Sequence, residues 1–206
     1  MAIMTPNQLE CIIEAALMVT DNPLTLAQIQ KLFSEAELPT TIDIHAALHS
    51  LKQRYADRGI ELREIASGFR FQAKAEFSPW LAKLWEEKPP RYSRAFLETL
   101  AIIAYQQPIT RAEIESIRGV TVSSPIIKSL LEREWIRIVG YREIPGKPAL
   151  YATTKEFLDY FNLKNLAELP TLAELKDLDA QFSSLQIQLA LEEQTIENTR
   201  SESVEE

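Results

Sequence analysis

Residues 60–73 read Ile60-Glu61-Leu62-Arg63-Glu64-Ile65-Ala66-Ser67-Gly68-Phe69-Arg70-Phe71-Gln72-Ala73, and here the chain changes period. Ile60 to Arg63 alternates apolar and polar residues, Ser67-Gly68 supplies a turn, and Phe69 to Ala73 alternates again. Side chains of a strand point alternately to its two faces, so two alternating runs around a tight turn predict a β-hairpin. Everything before it repeats at three and four residues instead, which is the helical period.

Working back from the hairpin, a helix from about Thr41 presents Ile44, Ala47, Leu48, Leu51 and Tyr55, and Gly59 ends it. A shorter helix carries Leu26, Ile29, Leu32 and Phe33. Thr25 caps it, with Gln28 at capping-box spacing. The first helix, residues 9–20, carries Leu9, Ile12, Ile13, Ala16, Leu17 and Thr20, and Asp21-Asn22-Pro23 stops it because proline cannot continue the backbone bonding. Three helices followed by a hairpin is the winged-helix order.

The order recurs further on. Residues 96–105 form an apolar-rich helix that ends at Gln106-Gln107-Pro108. Thr110 caps a second helix with Glu113 at capping-box spacing, Ile114 and Ile117 face inward, and Gly119 closes it. A third helix, residues 123–134, offers Ile126, Ile127, Leu130 and Leu131. Trp135 to Val139 reads as a strand, Pro145-Gly146-Lys147-Pro148 as a turn, and Leu150 to Thr153 as the returning strand. Residues 12–29 align without a gap on 97–114, pairing Ala16 with Ala101, Pro23 with Pro108, Thr25 with Thr110 and Ile29 with Ile114.

The fold class expected is therefore mainly α with small β-hairpins, two tandem winged-helix domains at residues 1–88 and 89–170. A short helix near 79–84 and the break Lys88-Pro89-Pro90-Arg91 separate them, the prolines favouring an extended spacer. Residues 155–160 read as a short helix. From Thr171 an apolar stripe runs through Leu172, Leu175, Leu178, Phe182, Leu185, Leu189 and Leu191 and needs a surface to cover it, in this chain or in a partner. Residues 171–206 thus form a helical extension with an acidic, disordered end.

Composition narrows the function classes. Hydrophobic residues make 46% and charged residues 25% of 206, which is ordinary for a globular protein that buries real cores. A single cysteine, Cys11, excludes an intramolecular disulfide framework, suits a reducing cytosol, and reads as a core thiol. No signal peptide and no apolar run of membrane-spanning length is apparent, so a soluble cytoplasmic protein is expected. Of the net charge of −8, the Glu-rich residues 190–206 supply −5, which leaves the folded part near neutral. An autonomous nucleic-acid binder carries a stronger basic footprint.

No catalytic constellation appears. His45 and His49 stand four apart on a helix, a spacing that can chelate a metal, but Ala46 and Ala47 lie between them where a zinc protease has its glutamate. No third ligand is committed, so neither metal nor cofactor is expected. With one Cys and two His, and no nucleophile elbow or phosphate-cradling glycine loop, a nucleophilic triad has little to work with. Catalytic residues: none.

Nor do the third helices look like base readers, which carry basic and amide side chains into the major groove. The first has only Lys52 and Arg54, both late; the second has Lys128 and Arg133 among Glu132 and Glu134. Arg111, Arg118, Arg137, Arg142 and Lys147 make the second unit more basic. They are either a solvated rim and wing, or a weak phosphate patch that acts only when a partner also holds DNA. A winged-helix transcription regulator is the competing reading.

The stretch Leu97-Glu98-Thr99-Leu100-Ala101-Ile102-Ile103-Ala104-Tyr105-Gln106-Gln107-Pro108-Ile109-Thr110-Arg111-Ala112-Glu113-Ile114, with Ile117-Arg118-Gly119-Val120, closely resembles the segregation and condensation protein B (ScpB) family. The likeness continues through Leu130-Leu131-Glu132-Arg133, Pro145-Gly146-Lys147-Pro148 and Asp159-Tyr160-Phe161, and in the first unit through Gly68-Phe69-Arg70-Phe71-Gln72 and Pro79-Trp80. It departs at Thr121-Val122-Ser123-Ser124-Pro125, where the family has a short polar turn. The resemblance implies a non-catalytic homodimer joined through its N-terminal domains. It implies binding to the kleisin ScpA, and through ScpA to the SMC ATPase, in chromosome condensation and segregation, with DNA met only indirectly or weakly. For the dimer contact the candidates are Ile13, Leu17, Leu24 and Leu26, with core packing as the alternative. For the kleisin they are Tyr105, Arg111, Trp135 and Tyr141, since large aromatics and arginine anchor interfaces, and core packing again competes for Tyr105 and Trp135.

Overall fold

A computed structural model describes residues 5–35, 37–84, 92–171 and 174. The chain divides into two compact units, residues 1–166 and 167–206. Among the described residues there are eight α-helices and five strands, the strands in small antiparallel sheets.

Within the first unit, the first lobe runs α1 (Pro6–Val19), α2 (Leu26–Gln30), α3 (Thr41–Arg54), β1 (Ile60–Ile65) and β2 (Gly68–Ala73). Each of its helices starts at a threonine whose hydroxyl accepts the N–H three residues on, while that residue's side chain accepts the threonine N–H in return. Thr5 does so with Gln8, Thr25 with Gln28 and Thr40 with Asp43. Such a cap satisfies donors a helix end leaves open and contributes about 1 kcal/mol. α1 begins earlier than its apolar period suggested, because Thr5 and Pro6 supply the start. β1 and β2 pair from Ile60 opposite Ala73 to Ile65 opposite Gly68. Leu9, Ile13 and Leu17 of α1 pack with Ile29, Ile44, Leu48, Leu51, Leu62 and Phe69 into one core.

After β2, a 3-10 turn, α4 (Ser78–Leu81) and another 3-10 turn fill residues 75–84, where one short helix was expected. The Pro-rich break at 88–91 lies outside the described residues.

The second lobe contains α5 (Arg94–Gln106), β3 (Ile109–Thr110), α6 (Arg111–Arg118), α7 (Ser124–Glu132), β4 (Ile136–Tyr141), β5 (Ala149–Thr153) and α8 (Lys155–Tyr160). Thr110 and Glu113 form the expected capping box, and Gly119 closes α6 in the left-handed region at φ 71°. β5 lies between β3 and β4. The core holds Phe96, Leu100, Ile103, Ile109, Ile114, Leu130, Trp135, Ile136 and Phe157.

The two lobes correspond, but not without a gap. Leu9, Ile13 and Leu17 occupy the places of Phe96, Leu100 and Ala104, each 87 positions on, whereas Thr25 and Ile29 match Thr110 and Ile114 at 85. The connection between first and second helix is therefore two residues shorter in the second lobe, from the C-cap Gln107 to Thr110, with a cis Gln107–Pro108 peptide. An unbroken alignment set Ile13 against Glu98; the burial pattern sets it against Leu100. The equivalence resumes at the sheet, where Leu24 bridges Phe69 and Ile109 pairs with Tyr151.

In the second unit, Thr171 and Glu174 bond reciprocally, Thr171 N–H to Oε2 at 2.6 Å and Glu174 N–H to Oγ1 at 3.3 Å. The apolar stripe beyond Glu174 and the acidic end lie outside the described residues.

Candidate partner-binding surfaces

α1 has three distinct faces. One enters the core with Ile13 and Leu17, wholly or almost wholly buried. A second carries Glu10 and Glu14, which are held by the end of α3: Arg54 pairs with both, and the Tyr55 hydroxyl donates to Glu14. That bond holds the Tyr55 hydroxyl above its usual pKa. The third face is exposed and carries Cys11, Ile12, Ala15, Met18 and Val19, with Ile12 40% and Val19 85% accessible.

Two readings of the sequence are corrected here. Cys11 is exposed rather than a core thiol, and Ile12 lies on the outer stripe rather than the core stripe. Of the four residues considered for a dimer contact, Ile13 and Leu17 are committed to the lobe's own core, and Leu24 and Leu26 are half-buried against it. Leu24 also exchanges both backbone bonds with Phe69, each 2.9 Å. The signal that was missed is α1's second apolar stripe, spaced at 11, 12, 15, 18 and 19, which a single-face helix does not need.

In the second lobe the four residues considered for a partner lie on separate elements. Trp135 is 3% exposed and packs among Tyr92, Phe96, Tyr160 and Phe161, so it is core and offers no anchor. Tyr105 is half-buried on α5. Arg111 is bound within the chain: its Nε meets Glu115 at 3.1 Å, one Nη meets Ser124 Oγ at 3.1 Å, and the other donates to the Val122 carbonyl. Glu115 in turn accepts the Val122 N–H at 2.9 Å. Arg111 and Glu115 thus shape the Thr121–Pro125 connection, where the chain departs from the motif. Tyr141, at the end of the edge strand β4, is 62% exposed and free to meet another molecule.

The basic residues of this lobe are largely neutralised. Arg118 is almost buried against Glu98 at 3.3 Å, Arg142 meets Glu113 at 2.6 Å, Lys128 pairs with Glu132, and Arg133 lies over the rings of Tyr92 and Trp135. Glu98, Glu113 and Glu115 all have carboxyls held below the usual range. Arg94 and Arg118 do this for Glu98, the Thr110 N–H and hydroxyl and then Arg142 for Glu113, and the Val122 N–H and then Arg111 for Glu115. Arg137 and Lys147 enter no ion pair among the described residues. Lys155 is likewise without an ion pair among the described residues, and so few isolated cations make a weak phosphate surface.

His45 and His49 line a shallow groove with Lys52, Leu62, Glu64 and Phe69. His49 Nε2 is 3.0 Å from Gln53 Nε2. Among the described residues no three His, Cys, Asp or Glu side chains are placed to hold a metal ion, and no helix is long and apolar enough to cross a membrane.

Residues 11–172 match the family model for the segregation and condensation complex subunit ScpB. The chain is 56% identical over 191 residues, 91% of either chain, to a segregation and condensation protein B homolog of Coxiella burnetii. It is 32% identical to ScpB of Mycobacterium tuberculosis, whose crystal structure aligns over 79% of this chain and 99% of that one with a TM-score of 0.37. A solved dimer of an ScpB N-terminal domain complexed with ScpA peptide is 29% identical, covering 38% of this chain and 96% of that one, with a TM-score of 0.34. Superpositions this loose add nothing on the fold, but the sequence match extends through both lobes. The chain belongs to the ScpB family of segregation and condensation complex subunits.

Proposed function

We propose that the chain is a non-catalytic, homodimeric subunit that binds the kleisin ScpA and, through it, the SMC ATPase, and so acts in condensing and segregating the chromosome. The observation that carries this reading is the 56% identity over 91% of either chain to a segregation and condensation protein B homolog. On this reading the two lobes are winged-helix domains, residues 1–88 and 89–170, followed by the extension 171–206, and the protein works in the cytoplasm at the nucleoid. We assign self-association to the outer face of α1, from Cys11 to Val19. It is an apolar stripe without charge whose neighbours Glu10 and Glu14 are already neutralised within the lobe. A two-fold axis through Ala15 would set Ile12 of one copy against Met18 of the other, the self-complementarity a symmetric dimer requires. ScpA is assigned to the second lobe, with Tyr141 and Tyr105 as contacts; the paired cations argue against a transcription regulator. Co-purification with the ScpA of the same organism, with mass measured in solution, tests the proposal. A dimer that retains ScpA is expected; a strict monomer that ignores ScpA overturns it.

A further inference from the structure

Within the unit of residues 1–166, the turn of the β1–β2 hairpin meets the end of α8. Asp159 accepts from Ser67 twice, from the N–H at 2.9 Å and from the hydroxyl. Arg70 donates to the Asn162 side-chain oxygen at 2.7 Å and to the Asp159 carbonyl at 3.1 Å. The Ala66 N–H reaches the Leu163 carbonyl at 3.0 Å, and Lys164 meets Glu64 at 2.8 Å. Six bonds thus join four residues of one lobe to four of the other.

Two of these residues are poor choices for their own helix. α8 ends with the Asn162 N–H on the Asp159 carbonyl and the Leu163 N–H on the Leu158 carbonyl at 2.8 Å, a Schellman closure. That closure needs a left-handed residue, and Asn162 supplies it at φ 57°. Glycine fills this place most readily, because it has no Cβ to strain. Asparagine adds nothing to the closure itself, but it adds the oxygen that Arg70 uses. Asp159 sits in the last turn, where the helix dipole disfavours a carboxylate. Its two bonds from Ser67 account for it. Arg70 also buries its Nε without an acceptor in order to reach these partners. Local cost at three positions is matched by contact between the lobes, a pattern expected where a sequence serves a tertiary interface over its own secondary structure.

We infer that Ser67, Arg70, Asp159 and Asn162 form a latch that fixes the two lobes in one arrangement, and that Asn162 is kept for the latch rather than for the helix end. Any chain that touches both lobes meets its two sites at a set spacing while the latch is closed. Opening it gives the lobes independent motion.

Spin labels test this in the full chain. In a Cys11→Ser background, thiols are introduced by Asp57→Cys in the first lobe and Lys128→Cys in the second. Labelled protein is diluted into excess unlabelled protein, so that only distances within one chain are read. The latch requires a single narrow distance distribution. Asn162→Gly keeps the left-handed closure and removes the oxygen. It is expected to broaden the distribution at least twofold while the helical circular dichroism and the melting of the second lobe stay as they were. Arg70→Ala, made in the other lobe, is expected to do the same. A broad distribution in the parent, or a narrow one in either variant, overturns the proposal.

Discussion

Ile12 and Ile13 adjoin in the chain and serve different faces of α1: Ile13 is wholly buried in the first lobe's core and Ile12 is 40% exposed on the outer face. Adjacent helical positions lie about 100° apart, so one residue decides between core and surface. The two positions separate stability from self-association. Ile13→Ala is expected to destabilise the lobe by about 2–5 kcal/mol, the cost of a large-to-small change in a closed core. Val19→Lys, on the exposed stripe, is expected to change stability by no more than about 0.5 kcal/mol. It is expected to weaken the dimer at least tenfold, read by sedimentation equilibrium. A dimer that survives Val19→Lys unchanged places the self-association surface elsewhere.

Gly68 approaches Leu24 so closely that a side chain has no room. A Cβ there would stand 2.4 Å from the Leu24 carbonyl oxygen and 2.8 Å from the Thr25 nitrogen, both backbone atoms, and φ is +132°. Neither atom can swing aside without breaking the Leu24–Phe69 bridge or the Thr25 cap. Gly68→Ala is expected to cost at least about 3 kcal/mol, combining steric overlap with a conformation reserved for glycine. The loss should appear as a large fall in melting temperature. A change of under about 1 kcal/mol would show that the hairpin and the α1–α2 connection can separate cheaply.

The caps at Thr25 and Thr110, the proline stop and the Gly68 turn were legible because each acts over three or four residues, the range in which sequence order is spatial order. Ile12 and Cys11 were misplaced because an apolar residue carries no mark of which face it serves, and α1 has two apolar faces. The gapless alignment failed for a related reason. Ala16 and Pro23 match Ala101 and Pro108 by identity, but the shorter second connection rotates the first helix relative to that register, and only the burial of Leu100 and Ala104 reveals it. Trp135 was weighed as an anchor because composition cannot tell an aromatic that meets a partner from one that meets Tyr92 and Tyr160. Asn162 was not singled out at all, since its acceptor role depends on an arginine 92 positions away.

Trp135 and Tyr141 separate the second lobe's stability from its partner binding. Trp135→Ala is expected to cost about 3–5 kcal/mol by emptying the aromatic cluster, and to weaken partner binding only as far as the lobe unfolds. Tyr141→Ala is expected to leave the stability of the lobe unchanged within about 0.5 kcal/mol. It is also expected to raise the Kd for ScpA at least fivefold by calorimetry, as loss of an exposed interface aromatic does. Wild-type affinity in Tyr141→Ala would remove the end of β4 from the partner surface.

Glu113 links the second lobe's stability to acid. It accepts from the Thr110 N–H at 2.9 Å and from the Thr110 hydroxyl at 2.8 Å, and it pairs with Arg142, so its folded carboxyl titrates below the ordinary glutamate value of 4.5. With the folded pKa depressed, the unfolded chain takes up a proton first as the pH falls. The contribution is fully present above about pH 4.5 and is lost as the pH drops through the folded pKa. Glu98 and Glu115 shift the same way and steepen the loss. Glu113→Gln isolates the effect, because glutamine already serves this cap at Gln28 in the first lobe but does not titrate. The melting temperature of the variant is expected to fall less steeply than that of the parent between about pH 5 and pH 3, with the two curves converging at the acid end. Parallel curves over that range would mean that Glu113 keeps its proton equilibrium on unfolding, and that the Thr110 and Arg142 bonds do not hold its charge.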